Sequence, residues 1–435
     1  MNNSARALVL TVGTGNIDDL ENTLFQPLEK SLNTGKWKEA VLLPSTMTAN
    51  NARKFKDRMF GYSIRIDPLP EEGRENDADA CFSHFDKVLS ELETDGYRPE
   101  AIVPDFTRGT KAMSAALVLA AVRHKIPQLR YIHGVRDNRG MVIGGKEEIG
   151  HVMTERASMR RRIDDSLQLM TKGAFASVLA FLPEIENSGI AEALVPVEFR
   201  DEISRLRKLA AFWAAWDRLD YKEALTCSSK LNDEDHMALN REIASVECLA
   251  AGPIQDNHGD MAEWLRWVAT DLLVNGRRRI AQHQFEDALL RAYRIVELIG
   301  QVRLFARGYD SARISPKDPC VEKFRQRLKK NGSNDFGCRK EEGRKVLTAT
   351  RMLGARFLKY LGDSLGQDLV NFDNDAASSI KASDRNLSIL THGFSVANLD
   401  KESLSNLYDR IKVLLEKDCP DTARCSIDER FGIVP

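Results

Sequence analysis

The feature that most constrains the fold is a change of pattern near residue 155. Before it, short apolar runs typical of buried strands alternate with segments of helical periodicity, and after it the strand signals disappear. The predicted strands are Ala7–Val12, Glu39–Leu43, Tyr62–Ile66, Ala101–Val103, Leu129–Ile132 and Met141–Ile143. The predicted helices between them are Ile17–Leu32, Thr48–Phe60, Asp77–Leu92 and Thr110–His124. This order predicts a Rossmann-like, doubly wound α/β sheet with helices on both faces.

The rest of the chain predicts helices alone. Its later predicted helices are Glu263–Asn275, Phe285–Phe305, Pro319–Leu328, Glu342–Leu361, Asp384–His392 and Lys401–Leu415. Glycine and proline in Leu249–Gly259 predict a hinge between helical domains. The fold class is therefore α/β followed by all-α. We expect a sheet domain over residues 1–152, a helical linker over 153–258 and a helical domain over 259–435.

Charge and composition exclude several classes of protein. The chain has 63 basic and 64 acidic residues, so it has no net positive charge with which to bind nucleic acid. A local basic site is still compatible with this balance. No run of about 18 apolar residues predicts a membrane span. The seven cysteines are scattered without a C-x-x-C pair, and the N-terminus lacks the features of a signal peptide. We expect a cytoplasmic protein with free thiols and no metal site.

Polar or glycine-rich loops follow three of the predicted strands. Ligands of doubly wound sheets bind outside the carboxyl ends of the strands, so these loops are the candidate binding site. Glycines allow close backbone approach, while hydroxyls, cations and helix N-termini suit phosphate or ribose. The candidate residues are Gly13, Thr14, Gly15, Asn16, Ser45, Thr46, Asp105, Thr107, Arg108, Gly109, Thr110 and Lys111.

The common nucleotide motifs do not fit these loops. Gly13-x-Gly15 lacks the third glycine of the dinucleotide fingerprint, and no acidic residue clearly ends the second strand. The residues before Lys111 lack the first glycine of a P-loop, and the threonine precedes the lysine. The alternative that the loops are ordinary capped turns stays open.

Several motifs resemble the CRISPR-associated Rossmann fold, CARF. They are the Gly-Thr-Gly loop, Asp105-x-Thr107-x-Gly109-Thr110-Lys111-x-Met113, and the hairpin Tyr131-x-x-Gly134-x-Arg136 with Gly140-x-Val142-x-x-Gly145-x-Glu147. Phe212-Trp213-x-x-Trp216-Asp217 resembles a CARF-containing subfamily of type III CRISPR ancillary proteins. The resemblance covers the first half of the chain. It implies a homodimer that binds cyclic oligoadenylate, with cyclic tetra-adenylate favoured, across its two-fold axis.

The second half contains an arginine and a histidine at a spacing suited to phosphate chemistry. Arg385 and His392 are seven residues apart, which places them about 20° apart around a helix. A guanidinium stabilises charge on a phosphate, and an imidazole moves protons near neutral pH. Arg277 and Arg278 stand at similar distances from His283, but we predict that His283 lies in a solvated turn. His392 as a structural helix-end residue remains the alternative.

Arg385, Asn386 and His392 resemble the Arg-polar-x(4–6)-His motif of HEPN ribonucleases. The resemblance implies a metal-independent endoribonuclease that cuts single-stranded RNA in type III CRISPR antiviral defence, with a composite site from two subunits and no action on DNA. It assigns His392 to acid/base work or orientation, Arg385 to charge stabilisation and Asn386 to support. The alternatives are a non-catalytic sensor, a CARF domain that slowly cleaves its own ligand through Thr14, Thr107 or Lys111, and, more distantly, a dehydrogenase.

Overall fold

The computed structural model describes residues 6–136, 142–183, 195–254, 257–341, 343–372 and 399–418. The chain divides into two compact units. The first comprises Met1–Asp164 and Glu184–Asp201, and the second comprises Asp165–Pro183 and Glu202–Pro435. The predicted division into three domains, with a boundary at 258/259 inside the second unit, stays a prediction.

The first unit contains the predicted parallel sheet. Its strands are Ala7–Val12 (β1), Glu39–Pro44 (β2), Ile64–Ile66 (β3), Ile102–Asp105 (β4), Gln128–Arg136 (β5) and Val142–Met153 (β6). The order is β3-β2-β1-β4-β5-β6, with β6 antiparallel to β5 and every other pairing parallel. All six residues of β1 are buried, which is why this strand appears in the sequence as a continuous apolar run.

Helices cover both faces of the sheet. They are Gln26–Asn33 (α1), which continues a short π-helical turn at Glu21–Phe25, Ala49–Arg58 (α2), Ala78–Thr94 (α3) and Lys111–Arg123 (α4). Alternate residues of β1 serve the two layers: Leu8 and Leu10 pack in the core that includes α1 and α2 residues, whereas Ala7 and Val9 pack in the core that includes α3 and α4 residues. The two-residue period of a strand therefore divides one apolar run between two cores.

The edge hairpin is longer than the sequence predicts. We expected a strand at Met141–Ile143, whereas β6 runs over Val142–Met153 and pairs with β5 along most of that length. An edge strand has no second neighbour, and this one carries Lys146, Glu147 and Glu148 in sequence, so its apolar signal is weak.

The helices after the sheet account for most of the remaining described residues. They are Thr154–Thr171 (α5), Phe175–Phe181 (α6), Val197–Asp217 (α7), Tyr221–Ser228 (α8), Asp233–Ala238 (α9), Asn240–Ala251 (α10), His258–Ala281 (α11), Phe285–Ala306 (α12), Pro319–Lys330 (α13), Arg351–Tyr360 (α14), Gly366–Asn371 (α15) and Lys401–Asp418 (α16). The predicted hinge coincides with the break between α10 and α11. Within the described ranges, no helix has both the length and the apolar character that a membrane crossing requires.

Helices α11, α12 and α16 pack through a close approach at Gly276. A Cβ atom at Gly276 would overlap the ring and hydroxyl of Tyr408, so the absence of a side chain there admits the tyrosine. Tyr408 is fully buried, and its hydroxyl donates to the carbonyl oxygen of Ala288 at 2.7 Å. One glycine and one tyrosine thus connect all three helices.

A two-stranded hairpin interrupts the helical region and corrects one prediction. We expected a helix from Glu342 to Leu361, but Gly337–Glu341 (β7) pairs with Arg344–Thr348 (β8), and α14 begins only at Arg351. Gly343 in the turn has a φ of +76°, a conformation that glycine adopts without strain. Two of the five residues in each strand are lysine or arginine, so the usual apolar strand signal is weak.

Candidate functional site

The strand order places a crevice at the carboxyl ends of β1 and β4. The chain leaves β1 toward β2 on one side, and the later strands β4, β5 and β6 continue on the other side. Ligands of open α/β sheets bind at such a switch point. The glycine loop after β1 and the Asp105–Lys111 loop after β4 therefore flank the same position, as the sequence predicts.

The two loops touch through their glycines. A Cβ atom at Gly13 would lie 2.8 Å from the amide nitrogen of Gly109, which is closer than real Cβ atoms approach. Gly109 has a φ of +111°, and the Thr11 hydroxyl donates to the carbonyl oxygen of Arg108. Backbone rather than side chain therefore forms the floor of the crevice, and this suits a ligand that approaches peptide groups closely.

Asp105 supports the loop from below. Its side chain is fully buried and lies 3.2 Å from the Arg130 guanidinium, and it also accepts a hydrogen bond from the Ser31 hydroxyl. Burial lowers the pKa of Arg130, and the Asp105 carboxylate opposes this shift. Both carboxylate oxygens have internal partners, so Asp105 holds the loop in place, while its predicted part in ligand binding stays a prediction.

Two threonine hydroxyls of the same loop also have internal partners. The Thr107 hydroxyl donates to Asp105 and accepts from the Ile132 amide at 2.8 Å. The Thr110 hydroxyl accepts from the Met113 amide at 3.2 Å as the N-cap of α4. These contacts hold the loop between β4 and α4 in place, so two of the predicted site residues shape the loop.

The two hydroxyls after β2 differ in their surroundings. Ser45 is buried, and its hydroxyl lies 3.1 Å from that of Thr48, which in turn donates to the carbonyl oxygen of Val12 at 2.9 Å. The Thr46 hydroxyl oxygen is buried and has no hydrogen-bond partner among the described residues. An unpaired buried hydroxyl costs stability, so Thr46 is the group after β2 that a ligand would satisfy.

Exposed groups surround the crevice. Thr14, Asn16, Gly109 and Lys111 are exposed, and Gly13, Gly15 and Arg108 are half-buried. The Asn51 side chain donates to the carbonyl oxygen of Thr14 at 3.3 Å and so ties α2 to the first loop. Lys111 opens α4, where its charge adds to the partial positive charge of the helix N-terminus. The arrangement presents amides, hydroxyls and cations, a set suited to an anionic ligand.

The sequence reasoning missed two contributors. Arg130 follows the buried Leu129 in the predicted strand Leu129–Ile132, and a charged residue at such a position indicates a buried partner, which is Asp105. Phe106 and Tyr131 stack with their ring centroids 5.5 Å apart, and His133 lies 5.4 Å from Tyr131. The aromatic row runs from the end of β4 onto β5 and borders the Asp105–Lys111 loop. Tyr131 and His133 are two residues apart on β5, and this spacing predicts from the sequence that they lie on one face of the strand.

The predicted catalytic residues Arg385, Asn386 and His392 lie outside the described residues, so their roles stay predictions. His283, in contrast, is described: it is exposed in the turn between α11 and α12, with a φ of +59°. This confirms the predicted turn. In the described part of the chain, no three histidine, cysteine or acidic side chains are grouped as a metal ion would require.

Comparison with known proteins agrees with the two-part organisation. Residues 261–418 match the family described as the Csm6 HEPN domain, and this range includes Arg385 and His392. No curated protein matches the chain. A solved structure of Enterococcus italicus Csm6, bound to cyclic hexa-2′-fluoro-hexa-dAMP, is similar over 98% of this chain and 97% of its own, with 13% identity and a TM-score of 0.58.

A second structure, Can2 from Sulfobacillus thermosulfidooxidans in complex with cyclic tetra-adenylate, covers 50% of this chain and 68% of its own at 13% identity. Its TM-score of 0.23 is too low to bear on the fold. The likeness to the Enterococcus protein extends over both the sheet and the helices, and the family match falls on the helices. The chain therefore has the CARF–HEPN fold of the Csm6 type, and its residues 261–418 match the Csm6 HEPN domain family.

Proposed function

We propose that this protein is a cyclic-oligoadenylate-activated endoribonuclease that cuts single-stranded RNA in type III CRISPR antiviral defence. The observation that carries the proposal is the union, in one chain, of an anion-suited switch-point crevice and a Csm6 HEPN domain. The CARF unit recognises the ligand, and the HEPN domain performs the cleavage. The activity is independent of metal ions and does not extend to DNA.

The crevice supports a cyclic oligoadenylate as the activating ligand. Phosphates meet the glycine amides and Lys111, while the Thr46 hydroxyl offers a partner to a ribose or phosphate oxygen. The Phe106–Tyr131 stack provides flat faces on which an adenine can lie. The Enterococcus Csm6 structure holds a six-membered analogue, whereas we favour a ring of four for this chain. Titration with both rings decides between them.

Two exposed apolar side chains favour a homodimer. Ile17 follows the β1 loop and is 86% exposed, and Met47 follows the β2 loop and is 68% exposed. The two loops are neighbours, because β1 and β2 are paired and Asn51 connects α2 to Thr14. A symmetric ring is bound most simply by the same loops of two copies, which requires a two-fold interface. The mass in solution should be twice 48.9 kDa.

The cleavage chemistry rests on the arginine and histidine of the HEPN motif. The RNA 2′-hydroxyl attacks the adjacent phosphate, and the bond to the 5′-oxygen of the next nucleotide breaks. His392 transfers a proton or orients the reacting groups, Arg385 stabilises the negative charge on the phosphate and Asn386 supports the arrangement. The products are a 2′,3′-cyclic phosphate end and a free 5′-hydroxyl.

An RNA cleavage assay with and without cyclic oligoadenylate tests the proposal. We expect little cleavage without the ligand and a large increase with it, unaffected by a chelator. Ligand binding without cleavage at any concentration would instead identify a non-catalytic sensor. Tighter binding of NAD than of cyclic oligoadenylate would overturn the CARF assignment.

A further inference from the structure

The segment around the β7–β8 hairpin concentrates positive charge. Residues 319–348 contain nine lysines and arginines against four acidic residues, although the whole chain has a net charge of −1. The segment comprises α13 and the hairpin. Since the rest of the chain offsets this excess, the segment is a local basic surface in a protein without bulk positive charge.

The base of the hairpin is fixed in the core. Leu347 and Ile314 exchange two backbone hydrogen bonds of 2.9 Å, and both side chains are buried. Phe336 is also buried, in contact with Phe324 of α13. The Arg325–Asp335 ion pair, at 2.6 Å, ties α13 to the residue before Phe336. The strands are therefore held rigidly at one end.

The other end of the hairpin presents cations that repel one another. Lys340 lies directly opposite Lys345 in the register, and like charges in that arrangement are destabilising. Arg344 lies opposite Glu341, which is already paired with Arg313 at 3.0 Å. Lys340, Arg344 and Lys345 are exposed, and none forms an ion pair with another described residue. This unfavourable arrangement would be relieved by an external anion.

Helix α13 adds a second row of charge. Lys323, Arg327 and Lys330 are exposed at spacings of four and three residues, so they form one stripe along the helix. Val321, Phe324 and Leu328 form the buried face. Within residues 319–348, no large hydrophobic side chain is exposed among the described residues. The surface thus offers spaced cations without an apolar anchor, unlike the centre of a typical protein interface or a membrane-inserting face.

We propose that the β7–β8 hairpin and the α13 stripe form a docking surface for the phosphate backbone of single-stranded RNA. Lysine and arginine contact phosphates regardless of base sequence, so the surface retains the strand rather than selecting bases. The identity of the polyanion rests on the proposed function, because an RNA-cutting domain must hold its substrate. The hairpin residues act by binding and take no part in bond cleavage.

The test compares two triple variants of the full chain. Lys340→Gln, Arg344→Gln and Lys345→Gln together remove three charges from the hairpin. The control, Lys222→Gln, Lys230→Gln and Arg241→Gln, removes three exposed charges elsewhere in the second unit. The probe is a fluorescent single-stranded 2′-O-methyl RNA, which cannot be cut through a 2′-hydroxyl. Its binding is followed by fluorescence anisotropy over a range of salt concentrations.

We expect the hairpin variant to bind this RNA at least tenfold more weakly than the wild type, with a log–log salt slope smaller by about 2, as three lost phosphate contacts require. The control should bind like the wild type. The melting temperature of the hairpin variant should not fall, because the Lys340–Lys345 repulsion is gone. Equal weakening in both variants, or none in either, would overturn the proposal.

A second readout needs no substitution. Cys338 lies on β7 and is exposed, and Cys248 is exposed on α10. Bound RNA should slow alkylation of Cys338 but not of Cys248, as measured by mass spectrometry of the peptides. Equal rates, or tighter binding to anionic lipid vesicles than to RNA, would contradict an RNA-docking role.

The cleavage assay separates this inference from the proposed function. With unmodified RNA, the hairpin variant should show a raised KM and a nearly unchanged kcat. If the wild type cuts RNA and the variant matches it in KM, the docking surface is wrong and the function stands. If the wild type cuts nothing, the proposed function fails, and the 2′-O-methyl RNA measurement still decides whether the hairpin binds RNA.

Discussion

Gly13 lies against the backbone of Gly109, so the loops after β1 and β4 meet without a side chain between them. The two residues are far apart in sequence and come together because β1 and β4 are neighbours in the sheet. The contact makes the crevice a surface of peptide groups. It also makes the site sensitive to a single added methyl group.

Gly13→Ala should disturb this contact. The new Cβ would lie 2.8 Å from the Gly109 amide nitrogen, so one of the loops must move. We expect a loss of about 1–3 kcal/mol in stability of the first unit and weaker ligand binding. Gly300→Ala is the control, because its Cβ would meet nothing closer than 4.0 Å. Calorimetric titration with cyclic oligoadenylate measures the binding, and unchanged affinity for Gly13→Ala would remove these loops from the site.

Lys111→Ala tests the charge at the start of α4. A charge-assisted contact between this exposed lysine and a phosphate predicts a loss of about 1.5–3 kcal/mol in binding. Lys54→Ala on α2 removes another exposed charge and should leave the affinity within error. If the two variants bind alike, Lys111 is a solvated residue at the beginning of a helix.

Thr46→Val should weaken ligand binding, whereas Ser45→Ala should lower the stability of the fold. The Thr46 hydroxyl has no hydrogen-bond partner among the described residues, so valine should not lower stability, but it should weaken ligand binding by about 0.5–1.5 kcal/mol. Ser45→Ala removes contacts with Thr48 and should lower stability instead. Urea unfolding and ligand titration on both variants measure the difference. A Thr46→Val protein that binds normally would show that the ligand does not reach the β2 loop.

The sequence predicted the centre of the sheet because β1, β2 and β4 are almost entirely buried. β1 was predicted with its observed bounds, since every residue of Ala7–Val12 is apolar or a buried threonine. The β7–β8 hairpin was missed because only Leu347 among its strand residues is buried, while charged side chains dominate the rest. Its formation depends on the tertiary contact with Ile314, which no local pattern reveals.

The sequence predicted which loops lie at the crevice, but not which of their side chains have internal hydrogen-bond partners and which are exposed. Sequence reasoning grouped Asp105, Thr107 and Lys111 together, because all follow the same strand. The structure shows that they differ: Asp105 is buried against Arg130, which is 25 residues away in sequence and donates to its carboxylate, whereas Lys111 is exposed. Likewise, nothing in Ser45-Thr46 indicates which hydroxyl is occupied, because Thr48 and the β1 carbonyl decide it.

The stability of the second unit should depend on pH through the titration of Asp271. This carboxyl group is buried, accepts hydrogen bonds from Trp216 and Tyr221, and lies near Arg278 and Asp217. Burial raises its pKa to about 6. The folded protein therefore keeps a proton that the unfolded chain releases. This contribution to stability is complete below about pH 4 and is lost as the pH rises to about 6.

Asp271→Asn isolates this effect from other titrating groups. The amide stays neutral, so the variant should gain stability relative to the wild type as the pH rises from 4 to 7, by at most about 3 kcal/mol. Urea unfolding at several pH values measures the difference. A pH-independent difference would show that Asp271 is ionised throughout that range.

The proposed cleavage chemistry assigns the catalytic groups to the motif in residues 385–392. His392→Ala and Arg385→Ala should each abolish nearly all RNA cleavage, because one loses the proton-transfer group and the other the charge that stabilises phosphate. Binding of cyclic oligoadenylate should persist, since the residues that we propose for binding it lie in the first unit. Cleavage rates and ligand titration on the same preparations measure both effects.

His283→Ala is the matched control, because His283 also follows two arginines at a similar spacing but lies in the turn between α11 and α12. It should cut RNA at nearly the wild-type rate. Mixing the Arg385→Ala and His392→Ala chains should not restore activity, because a heterodimer cannot assemble two intact motifs in one composite site. Loss of cleavage in His283→Ala with normal cleavage in His392→Ala would show that His283, and not His392, is the catalytic histidine. Loss of cleavage on addition of a chelator would contradict the metal-independent mechanism, in which the internal 2′-hydroxyl is the nucleophile.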